Sequence, residues 1–150
     1  MLKKLFYTES GWVGLVLRLA LGVVFFAHGS QKVLGWFGGG GLCTTYLNFT
    51  KMGIPGLFAG LDIAAEFLGA IGLILGLLTR VSAFGIGVVM AVAVVMVHWP
   101  HGFFMNWFGN MPAGAEGFEY HILAFGMALA LVIGGGGRLS VDSAISRALK

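Results

Sequence analysis

From Pro55 to Leu78 the sequence is apolar except for two carboxylates, Asp62 and Glu66, set one helical turn apart. A run of that length is the signature of a helix crossing a bilayer, which takes about 20 apolar residues. The two acids constrain the fold further. A charge within hydrocarbon costs about 3 kcal/mol unless it is paired or faces water. Residues four apart share one helix face, so both acids need partners delivered by other helices. The rest of the chain offers Arg18, His28, Lys32, His98, Glu119 and His121.

Charged residues make up only 10% of the 150 positions, against 58% hydrophobic ones. A soluble domain would carry about 25% charged residues. The chain therefore reads as an all-α integral membrane protein, with residues 1–150 forming a single transmembrane domain. Its one cysteine, Cys43, leaves no intramolecular disulfide and no C-x-x-C centre. A self-contained relay from a thiol pair to quinone is excluded, and Cys43 is expected as a small buried or interfacial residue. The net charge of +3 lies near the predicted helix ends, where topology explains it. With no basic helix or aromatic-interleaved patch, nucleic acid is not an expected partner. The apolar run after Lys3 and Lys4 outlasts a signal-peptide core and contains Arg18, so it is expected to remain as the first span.

Four spans are predicted, over about 11–34, 55–78, 81–98 and 117–134, forming an antiparallel four-transmembrane-helix bundle. The glycine-rich stretch after Leu34 breaks the first helix, and Leu42–Met52 is expected as a short interfacial helix. Thr79-Arg80 is a very short turn. Pro100 ends the third span, and Phe103–Gly117 is expected as an aromatic interfacial loop between helices three and four. A short helix is expected from about Ser140 to Leu149.

With four spans, both termini lie on one side, together with Lys3, Lys4, Arg80, Arg138, Arg147 and Lys150. The positive-inside rule assigns that side to the cytoplasm. On the 1.5 Å helical rise, His28 and Asp62 lie about 10 Å below the outer surface, Glu66 about 16 Å and Arg18 about 24 Å. A long arginine side chain is expected to reach upward from that depth. The ionisable residues thus converge in the outer half of the bundle, leaving the cytoplasmic half nearly pure hydrocarbon.

With these residues in view, the chain resembles the DoxX family of small bacterial four-helix membrane proteins. The likeness rests on Arg18-Leu19, His28-Gly29-Ser30-Gln31-Lys32-Val33-Leu34-Gly35 and Gly38-Gly39. It continues through Glu66-Phe67-Leu68-Gly69-Ala70, Gly76-Leu77-Leu78-Thr79-Arg80 and His98 with Gly102-Phe103. Gly117-Phe118-Glu119-Tyr120 and Gly134–Gly137 running to Leu139-Ser140-Val141-Asp142 complete it. The resemblance implies a multi-pass protein of the bacterial inner membrane linked to redox chemistry. Its relatives include subunits of thiosulfate:quinone oxidoreductase and proteins associated with thiol and oxidative-stress partners.

A quinone needs an apolar slot, hydrogen-bond donors at its two carbonyls and a route for protons. His28, Lys32, His98 and Tyr120 are candidate donors, with Asp62, Glu66 and Glu119 as proton relays. The aromatic loop, Trp107 included, is a candidate wall. Glu66, His28 and His98 are the expected reactive residues. Arg18, Lys32, Asp62, Glu119, Tyr120, His121 and Trp107 are the expected binding residues. No dedicated redox centre is encoded, so electron transfer requires a borrowed cofactor or a redox partner protein, and a homo-oligomer is compatible with the chain.

Three other readings stand beside this one. A metal or haem site draws on His28, His98, His121 and His101 with Asp62 and Glu119, although Glu119 and His121 point to nearly opposite faces. No metal ligand set is assigned. Transport of a small polar solute is the second, weakened by the small number of helices and the lack of an inverted repeat. The third is purely structural: Arg18–Glu66 and Asp62–His28/Lys32 as buried ion pairs that fix helix register.

Overall fold

A computed structural model describes residues 2–112 and 114–149, so Lys150 of the expected cytoplasmic charges lies outside the described residues. All regular structure among them is helical: α1 (Leu2–Phe6), α2 (Trp12–Leu34), α3 (Gly41–Lys51), α4 (Gly56–Leu75), α5 (Thr79–Ala93), α6 (Glu119–Gly134) and α7 (Val141–Ala148). Three helical stretches are long and apolar enough to cross a membrane: α2, α4 and Thr79–His101, while α6 is a shorter apolar helix. The chain is an all-α membrane protein.

The helix ends follow from local chemistry. Gly35 closes α2 in the left-handed conformation at φ 72°, its amide bonded to the Ser30 carbonyl. Gly76 does the same for α4 at φ 66°, so this helix ends at Leu75 and not at the expected Leu78. Only glycine takes that conformation without Cβ strain. Past Ala93 the helix widens into a π turn over Val94–His98 and tightens into a 3-10 turn over Trp99–His101. Pro100 is responsible, since it has no amide to continue the ladder. α1 lies outside the elements foreseen from sequence, and it packs against α7.

Helix α2 packs against α4, α4 against α5, α5 against α6, and α6 back against α2. Glycines set the close approaches: a methyl group on Gly29 would stand 2.7 Å from the Phe67 Cα, and one on Gly22 would stand 2.9 Å from Ile74. The shared core holds Leu21, Phe25, Leu73, Ile86, Ala128 and Leu131. Outside it, Val13, Val16, Leu57, Leu68, Phe84, Val95, Leu123 and Ile133 stand exposed. An apolar exterior of this extent is unstable in water and suits acyl chains.

Candidate functional site

The two acids of α4 share one cation. Lys32 Nζ, near the end of α2, lies 2.9 Å from Asp62 Oδ2 and 2.8 Å from Glu66 Oε1. Its third face meets the Phe49 ring of α3, 4.9 Å from the centroid. Arg18, Phe25 and Lys32 recur every seven residues, so one stripe of α2 carries all three toward its neighbours. Exposure separates the acids: the Asp62 side chain is 22% exposed and that of Glu66 only 5%. Glu66 Oε2 is buried with no hydrogen-bond partner among the described residues. The Tyr120 hydroxyl, across the bundle on α6, is likewise buried and unpartnered.

His98 and His121 also come together, their rings 4.1 Å apart with a 41° tilt. His98 Nδ1 lies 2.7 Å from the Glu116 carbonyl oxygen, so it carries the proton and donates. His121 is buried with Nδ1 unpartnered, and Tyr120 meets its edge at 5.5 Å. His28 does not join this group. It stands on an exposed side of α2, tilted against Phe25 at 6.3 Å. Among the described residues no three His, Cys, Asp or Glu side chains are grouped to hold a metal ion. Cys43, expected buried or interfacial, is exposed on α3.

Glu119 and Trp107 pair with each other. Glu119 Oε1 accepts from the Trp107 indole N–H and, at 3.3 Å, from the Met105 amide. The loop closes further through Gly117 N to Phe104 O and Glu119 N to Phe103 O, at 3.1 and 2.9 Å. Trp99 stacks on Phe118 at 5.4 Å. Phe104, Trp107 and Phe108 point outward, exposed. They do not wall the Lys32 cluster.

Arg18 overturns an expectation. It does not reach Glu66, but is buried at the opposite end of the bundle in a cage of carbonyls. Its Nε donates to Gly136 O at 3.0 Å, Nη1 to Leu73 O and Ile74 O at 3.1 and 2.5 Å, and Nη2 to Leu139 O at 2.7 Å. These are carbonyls at the end of α4 and in the turn before α7, which a planar guanidinium with five donors can join together. Asp142 sits in the same end, its Oδ1 and Oδ2 accepting from the Leu78 and Thr79 amides at 2.8 Å each. With Thr79 and Ser140 also buried there, this end is a polar knot and not bare hydrocarbon. The one sequence signal for it was Asp142 in the motif after the second glycine quartet, which carried no obvious partner.

Two of the grooves that open sideways reach ionisable residues. The larger, about 540 Å³, runs between α4 and α5 and is lined by Pro55, Phe58, Asp62, Phe84, Val88 and Met96 among others. Asp62 is the one ionisable side chain on its wall. A smaller groove of about 390 Å³ between α5 and α6 reaches His121 beside Trp99 and Phe118.

A family model described as DoxX matches residues 13–99, which run from α2 to the Pro100 turn and include Lys32, Asp62, Glu66 and His98. The chain belongs to the DoxX family. Within reach of this DoxX chain is a Bacillus subtilis (strain 168) protein named "Putative oxidoreductase CatD", 30% identical over 117 residues, covering 78% of this chain and 76% of that protein. "Uncharacterized membrane protein Rv3486" of Mycobacterium tuberculosis is 30% identical over 159 aligned positions, covering 96% and 88%. No solved structure matches. The matched region of the DoxX chain leaves out Glu119, Tyr120 and His121, so the half of the polar cluster on α6 lies beyond it.

Proposed function

We propose that this DoxX protein is a quinone-handling subunit of a membrane oxidoreductase, with four antiparallel spans in the bacterial inner membrane and both termini cytoplasmic. The Lys32 end then faces outward, and the exposed aromatic loop lies in the outer interface. The observation that carries the reading is the groove between α4 and α5. It is apolar, it opens toward lipid, and its 540 Å³ falls in the size range of small-molecule sites. From Pro55 to Ala65 it runs about 15 Å along α4, long enough for a ring and part of an isoprenoid tail. Phe58 and Phe84 are exposed along it as aromatic surfaces. Asp62 is its one polar landmark, held in place by Lys32. The relative whose printed name is an oxidoreductase supports the redox side of the reading. No redox centre is built among the described residues, so electron transfer draws on a borrowed cofactor or a partner protein.

The test is enrichment. Protein purified in mild detergent should carry quinone or quinol above its share in the extracted lipid, measured by mass spectrometry. Val88→Trp, which fills the groove from its lipid side, should remove that excess. No enrichment in the wild type, or enrichment that survives V88W, would overturn the reading.

A further inference from the structure

We infer that the α4–α5 groove selects the reduced form of its ligand, a lipophilic hydroquinone or similar ring diol, over the oxidised quinone. This rests on the reading of the groove as a quinone site and adds the hydrogen-bond polarity of that site. A quinone presents two carbonyl oxygens, which accept hydrogen bonds. A hydroquinone presents two hydroxyls, which donate as well as accept. Whichever group on the groove wall is free therefore decides between them.

The wall has an acceptor free and no donor. Asp62 lines the groove, and only its Oδ2 is engaged, by Lys32 at 2.9 Å. Oδ1 accepts no side-chain hydrogen bond among the described residues. Lys32 is the nearest donor, but it is not among the residues that line the groove, and its ammonium is already engaged. Two of its N–H directions serve Asp62 and Glu66, and the remaining face lies over the Phe49 ring. Turning it toward a quinone carbonyl would strip the cation from Glu66, a buried carboxylate with one oxygen already unpartnered. The backbone offers nothing more. The Gly53 and Ile54 amides at the groove end are bonded to Thr50 O and Phe49 O at 3.0 and 3.1 Å. Pro55 has no amide, and the remaining lining comes from helical residues whose amides serve their own ladders.

A hydroxyl donating to a carboxylate in a low-dielectric groove makes a charge-assisted bond, whereas a quinone carbonyl facing Oδ1 meets only repulsion. Lys32 then has a specific task. It engages Asp62 Oδ2 and leaves Oδ1 without a side-chain partner, without itself touching the ligand.

The experiment uses the full chain in lipid nanodiscs, with a decyl-substituted benzohydroquinone and its oxidised benzoquinone as probes. Binding of each is measured under matching redox conditions and corrected for partition into empty nanodiscs. The hydroquinone should bind about tenfold tighter or more, the value of one charged hydrogen bond. Asp62→Asn, whose amide both donates and accepts, should collapse that preference by weakening the hydroquinone and strengthening the quinone. Equal binding of the two forms by the wild type, or tighter quinone binding, overturns the selection while leaving a quinone site in place. Binding of neither form overturns both.

Discussion

Lys32 Nζ stands 2.8 Å from Glu66 Oε1, tying a partly exposed cation on α2 to a carboxylate that is 5% exposed on α4. The contact is reachable because Gly29, one turn earlier on α2, lies directly on the backbone of Glu66 and Phe67. Backbone proximity and ion pairing therefore depend on each other at this crossing.

Removing the cation should be worse than removing the whole cluster. Lys32→Met leaves Glu66 as an unpaired acid in the interior and should cost about 3 kcal/mol. The triple variant K32M/D62N/E66Q should recover much of that loss. Reversible unfolding in mixed detergent micelles measures both, and equal stability of the two variants would show that charge pairing contributes nothing here.

Arg18 should not tolerate lysine. An ammonium cannot span the carbonyls of Gly136, Leu73, Ile74 and Leu139 that the guanidinium fork joins. Arg18→Lys is expected to speed amide hydrogen exchange across residues 134–142 at least tenfold, about 1.4 kcal/mol in local opening. Exchange there unchanged from wild type would contradict the cage.

Asp142→Ala should loosen the start of α5. It deletes the acceptor for the Leu78 and Thr79 amides, and burial leaves the Thr79 amide without water. A loss of about 2 kcal/mol is expected, at the upper end for a helix cap. Limited proteolysis within 134–149 should accelerate in parallel, and an unaltered cleavage rate would argue that α7 is held by other contacts.

Two glycines should separate cleanly. On Gly29 a methyl group would stand 2.7 and 2.8 Å from Phe67 backbone atoms, so Gly29→Ala must push α2 and α4 apart. A cost of about 2 kcal/mol is expected, as for overpacking a core. A methyl group on Gly126 meets nothing within 4 Å. Gly126→Ala should be neutral or stabilise by up to about 1 kcal/mol through helix propensity. Thermal unfolding of the two variants side by side gives the comparison.

Much of the architecture can be read from the chain alone. Hydrocarbon imposes length and near-total apolarity on any helix that crosses it, and those properties are written locally in Trp12–Leu34, Gly56–Leu75 and Thr79–His101. The family resemblance was equally legible, because its motifs are contiguous strings around His28–Lys32 and Glu66–Ala70. The demand for partners at Asp62 and Glu66 was legible too, since burying charge is costly wherever the helix sits.

Which partner answers that demand was decided only by tertiary packing. Arg18 and Lys32 lie on one stripe of α2, two heptads apart, and periodicity treats them alike. The relative height of α2 and α4, set where Gly29 and Gly22 meet the facing backbone, delivers Lys32 to both acids and leaves Arg18 beside the end of α4. There the return of the chain through Gly136–Asp142 supplies the carbonyls and the carboxylate, contacts between segments more than fifty residues apart. His98 and His121 meet for the same reason, as the docking of α5 on α6 brings the turn after α5 against the start of α6. A chain's own periodicity states which face of a helix is buried. The axial offset between two helices depends on side-chain and glycine surfaces of both at once, and that is why the pairings had to come from the folded molecule.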